Sequence, residues 1–136
     1  MSYAVSGPLQ TAIYQTLTAD STLGGLVGSA IYDAVPSGSV PSLYVVLGDE
    51  TAQDRSDVTG RGSLHQITIS VISEQAGFAM AKQTAGAVCD ALESAMTLSR
   101  GTLVYLNFDR ALASRSGSAG TLRRIDLRFN ARVDDT

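Results

Sequence analysis

The chain has one cysteine, one histidine, no tryptophan and three prolines among its 136 residues. A lone Cys89 excludes an internal disulfide, and one histidine beside one cysteine falls short of the usual zinc ligand sets. With His65 as the sole histidine, nucleophilic catalysis has a single candidate base, and no serine or cysteine elbow stands near it. His65 therefore reads as a surface histidine on a strand. Cys89 falls on the apolar face of an expected helix and reads as a small buried hydrophobe. Lysine is almost absent: Lys82 stands against nine arginines, and the net charge of −3 argues against an electrostatic nucleic-acid binder. No apolar run approaches the roughly 18 residues of a membrane span, and the N-terminus lacks the basic-then-apolar order of a signal peptide. The expectation is a soluble intracellular product with no membrane partner.

Other sites fail on spacing. The acids Asp49, Glu50, Asp54 and Asp57 lie close together but lack the regular ligand positions and closing glutamate of a calcium loop. Gly24-Gly25 and Gly60-Arg61-Gly62 are not followed by the Lys-Ser/Thr of a phosphate loop. Base stacking needs exposed aromatics among basic residues, whereas Tyr44, Tyr105, Phe108 and Phe129 pattern as core or strand. No residue is nominated as catalytic, cofactor-binding or metal-binding.

What is present is a globular pattern. Hydrophobic residues make up 44% and charged residues 17%, enough for one core in a single domain over 1–136. Ser6-Gly7-Pro8 predicts a helix start, with Ser6 as a cap, and Leu9, Ala12, Ile13, Thr16 and Leu17 share a face. Asp20 offers a cap to a short second helix carrying Leu23, Leu26 and Val27, and Ile31-Tyr32 is a brief strand. A central helix places Phe78, Ala81, Ala85, Val88, Cys89, Leu92 and Met96 on one side. Strands are predicted at 41–48, 67–73 and 103–108, and a last one in which Ile125, Leu127, Phe129, Ala131 and Val133 alternate with polar residues. The fold class is α+β: an antiparallel sheet of about four strands, with an N-terminal helix and a central helix packed on one face.

One feature does not fit a minimal sheet. Residues 49–62 form a polar tongue between two strands, where a hairpin normally closes in about 2–5 residues. The order of segments then suggests a family. Val40-Pro-Ser-Leu-Tyr-Val-Val-Leu-Gly-Asp49, Asp54-Arg-Ser-Asp57, His65-Gln-Ile-Thr-Ile-Ser-Val-Ile-Ser73, Gly77-Phe-Ala-Met-Ala-Lys82, Val88-Cys-Asp-Ala-Leu92 and Arg124-Ile-Asp-Leu-Arg-Phe-Asn-Ala-Arg132 follow one another over residues 8–133. This resembles the tail completion, or tail terminator, proteins of long-tailed phages and gene transfer agents.

The resemblance implies a structural virion protein without enzymatic activity or cofactor. It implies a homo-oligomeric ring, typically hexameric, on the head-proximal end of the tail tube. Such a ring ends tube polymerisation and docks the head connector or stopper, while DNA passes through the lumen without sequence-specific binding. The protein would be made in the bacterial cytoplasm and end in the particle. A head-side stopper or connector is the alternative, and an enzymatic or small-molecule α+β domain a third. Within the ring reading, Asp49, Glu50, Asp54, Arg55, Asp57 and Arg61 of the tongue are the expected contacts to a neighbouring subunit or the tail tube. The outward ladder Asp126, Arg128 and Arg132 is a second candidate surface.

Overall fold

In a computed structural model of the chain, the structure describes residues 3–57 and 60–135. A 3-10 turn over Tyr3–Val5 leads into α1 (Ser6–Ala19), followed by α2 (Ser21–Val27), β1 (Ile31–Tyr32), β2 (Leu43–Asp54), β3 (Gly62–Ser73), α3 (Ala79–Ala91), β4 (Thr102–Ser116) and β5 (Leu122–Asp134). The strands form one sheet in the order β1-β2-β3-β5-β4. Four of them are antiparallel neighbours, as expected, and β1 adds a two-residue parallel edge against Val45 and Val46.

The period-2 patterns decide which face is covered. Ile67, Ile69 and Val71 of β3 and Ile125, Leu127, Phe129, Ala131 and Val133 of β5 are all buried under the helices. Leu9, Ile13 and Leu17 of α1, Leu23 and Val27 of α2, and Ala81, Ala85 and Val88 of α3 close the core from above. The alanines of α3 let its backbone come close to the sheet. The opposite face of the sheet has no helix over it among the described residues, which leaves a half-exposed row from Arg124 to Arg132 on β5.

Local signals behaved unevenly. Asp20 caps α2 by accepting from the Leu23 N–H at 2.9 Å. Ser6 caps nothing: α1 starts without a side-chain cap, and the Ser6 hydroxyl donates to Glu50 instead. The covered face of α3 agrees with the expectation at Ala81, Ala85 and Val88, but the helix ends at Ala91, so Met96 lies beyond it, and Cys89 is half-buried at the margin rather than fully buried. Burial, then the nearby Asp90 and Glu93 carboxylates, push that thiol's pKa up, which disfavours the thiolate.

Candidate assembly surfaces

The tongue is an arm of sheet rather than a long loop. β2 continues to Asp54 and β3 begins at Gly62, so most of the segment read as a tongue is strand or its immediate flank. The strands pair Glu50 with Ile67 through to Asp54 with Ser63, and an Asp57–Gly60 bridge extends the hairpin. A bulge falls between Leu47 and Glu50, and β3 stays paired with β5 all along the arm, from Ile67 opposite Phe129 to Gly62 opposite Asp134. Gly48 sits at that bulge because the chain passes close to β3: a Cβ there would lie 3.1 Å from the Thr68 carbonyl oxygen.

The arm is fixed near its turn. Arg132 donates to the Arg55 carbonyl at 3.1 Å, and the Asp135 N–H donates to the Arg61 carbonyl at 2.9 Å. The Arg132 guanidinium lies over Gly62, where any side chain would displace it. Arg132, expected as an outward contact, is half-exposed and also bonds the arm's turn to β5. In the same turn, the Asp54 carboxylate accepts from the Ser56 N–H and hydroxyl, at 3.0 and 2.6 Å. Those bonds hold Asp54 below the usual carboxylate range. Arg55 donates to Gln53 Oε1 at 2.7 Å. Asp49, Asp54, Arg55, Asp57 and Arg61 are all exposed.

Glu50 and His65 are not where sequence reasoning put them. Glu50 faces the helices, half-buried, and accepts hydrogen bonds from the Tyr3 hydroxyl and from Ser6 Oγ at 2.8 Å. Its Oε2 lies 3.0 Å from His65 Nδ1, and His65 Nε2 lies 2.9 Å from Ser63 Oγ. His65 is 0% exposed and Ser63 1%. The alternation that buries Ile67, Ile69 and Val71 carries His65 to the same face, so it is a core histidine and not a surface one. Burial acts to raise the Glu50 pKa, but the bonds from Tyr3, Ser6 and His65 together outweigh it and hold the carboxyl below its ordinary value. The Ser63–His65–Glu50 chain has the connectivity of a hydrolytic triad. Its hydroxyl, however, is sealed from solvent and can meet no substrate. It ties the first residues of the described chain to the base of the arm.

The open face gathers charge. Asp49, Arg110, Leu112, Arg124, Asp126 and Arg128 line a depression of about 260 Å³. Asp126 accepts from Ser70 Oγ at 2.6 Å and from Arg124 Nε at 2.9 Å. Arg128 stands directly opposite Arg110 in register. Asp126 and Arg128 thus share one surface with Asp49 at the arm's root, while Arg132 belongs to the arm.

The surface that sequence reasoning missed is β4. Tyr105 and Phe108 pattern as core or strand, yet β4 is the sheet's outer strand and its side chains are largely uncovered. Val104, Phe108 and Leu112 are each 52–53% exposed, and Tyr105 is 39%. A free edge of fifteen residues carrying such side chains is what folded proteins normally shield. Alternation within 103–108 gave the strand but could not reveal its place in the sheet.

No group of three or more His, Cys, Asp or Glu side chains suited to a metal occurs among the described residues. No helix among them is long and apolar enough to cross a membrane. The fold presents an exposed hairpin end at one end of the sheet and a bare strand at its edge. The family model for tail completion protein gp17 matches residues 11–134, and the chain belongs to that family. A chain in the solved structure of the virion of a native gene transfer agent (GTA) particle is 54% identical. The match covers 98% of this chain and 99% of that one, with a TM-score of 0.92. No curated protein matches. Family membership implies a structural rather than an enzymatic role.

Proposed function

We propose that this chain is the tail terminator of a gene-transfer-agent or phage-like particle. Copies form a ring, six in number, on the head-proximal end of the tail tube, end its polymerisation and join it to the head connector. The observation that carries this reading is the near-complete, 54% identical match to a chain of a GTA virion. The exposed arm and the bare β4 edge support it, because ring subunits need two different surfaces that meet head to tail. The net charge of −3 suits a lumen that passes DNA without retaining it. The arm contacts a neighbouring subunit or the tail tube, and the Asp126 and Arg128 face offers a further contact. The protein assembles in the cytoplasm and ends at the head–tail junction.

Deleting the gene tests this. Electron microscopy of the deletion strain is expected to show over-long tails without heads. Closed tails of normal length beside filled, tailless heads would assign the chain to a head-side stopper instead.

A further inference from the structure

The hydrogen bonds at the arm and at the end of β5 determine which backbone groups are unpaired at the two edges of the sheet. The Arg55 N–H donates to the Gly62 carbonyl at 2.7 Å. Residues of an antiparallel strand alternate between bonding inward and outward, so Arg55, Gln53 and Thr51 bond β3, while Glu50, Ala52 and Asp54 turn their N–H and C=O groups outward. On the other side, the Asp135 N–H bond to Arg61 sets the alternation of β5. Arg132, Asn130, Arg128, Asp126 and Arg124 therefore bond their β4 partners Tyr105, Asn107, Arg110, Leu112 and Ser114. That leaves Leu106, Phe108, Ala111, Ala113 and Arg115 with outward-facing backbone groups. Neither outer edge is paired by a strand among the described residues beyond Val46.

We infer that the outer edge of the arm in one copy pairs, antiparallel, with the outer edge of β4 in the next, continuing the sheet from subunit to subunit. This rests on the ring reading and names the surfaces that close it. The direction follows from topology. β2 and β4 run oppositely within the sheet, so copies set side by side present them antiparallel. The charges agree: the arm edge from Gly48 to Asp54 carries Asp49 and Asp54 and no base, while β4 carries Arg110 and Arg115 against Asp109. The added strand also covers flanks of Phe108 and Leu112, the apolar groups that the single chain leaves in water. Because the two edges differ, the contact is heterologous and propagates into a ring.

Proline removes an outward N–H without touching the inward ladder and is tolerated at a sheet edge, so Ala52→Pro blocks the arm and Ala113→Pro blocks β4. By analytical ultracentrifugation the wild-type chain is expected to form rings. Each variant alone stays monomeric while keeping the wild-type circular dichroism. Mixed, they retain one good joint, the arm of the Ala113→Pro copy on β4 of the Ala52→Pro copy, and give a one-to-one dimer that grows no further. Rings from either variant alone, or a mixture that stays monomeric, overturn the edge pairing and leave the ring reading standing. A wild-type chain that is monomeric at every concentration overturns both. If either proline lowers the melting temperature, Asp54→Arg and Arg110→Asp test the same contact: each alone weakens association at least tenfold, and their mixture, in which both joints pair opposite charges, restores rings of alternating copies, whereas a mixture no stronger than either variant alone overturns the edge pairing.

Discussion

Replacing Glu50 by alanine is expected to lower the unfolding free energy by about 2–4 kcal/mol at neutral pH, measured by urea denaturation. The variant removes the acceptor for Tyr3 and Ser6 and strands His65 Nδ1 in a fully buried site. An orphaned buried polar group costs about 1–3 kcal/mol by itself, and the loosened N-terminal contacts add to it. Asp54→Ala, on the same arm but exposed, is expected to stay within about 0.5 kcal/mol. The pH dependence supplies a second signature. Glu50 has a folded pKa below its ordinary 4.5, so its contribution is full above 4.5 and is lost as pH falls through the lowered value. The gap between wild type and Glu50→Ala should therefore close on acidification. A gap unchanged by acid would mean that the carboxylate's bonds are not the source of the loss.

Phe129→Ala is expected to be the most damaging single truncation, at about 3–5 kcal/mol. Phe129 is 2% exposed on the covered face of β5, the strand that pairs with both β3 and β4. Its ring meets Phe108 edge to face, with centroids 5.9 Å apart. Phe108 is half in water already, so Phe108→Ala should cost well under half as much in the monomer. The comparison separates the two aromatics: Phe129 maintains the fold, and Phe108 faces whatever meets the edge. Equal losses from both would place β4 within the folding core instead.

The contrast between these phenylalanines marks where sequence reading succeeds. The alternation in β5 predicted every buried residue of that strand, because a sheet with one covered face enforces period 2. The helical face of α3 and the Asp20 cap were legible for similar local reasons. β4 shows the same strand pattern as its neighbours, and its edge position depends on a strand order that no local signal carries. His65 was misread because a lone polar residue looks exposed until its partners are known. Those partners are Glu50, 15 residues away on the neighbouring strand, and Ser63, two residues away, and Glu50 is itself bonded by the distant Tyr3 and Ser6. Ser6 stands before Pro8 as a cap would, yet a distant carboxylate competes for its hydroxyl more strongly than the helix end does. The polar tongue was legible as an anomaly, but its strands were not, since Thr51, Gln53 and Asp54 have nothing apolar to alternate with.

The proposed role is positional, a cap on the head-proximal end of the tail. Cryo-electron microscopy of the intact particle, with the chain's density identified by a tag on its exposed 33–42 loop, tests it most directly. The predicted result is a single ring of this chain between the last tail-tube ring and the head connector, with arms and β4 edges joined from subunit to subunit. Density at the distal tip, along the tube's length or inside the head would contradict it.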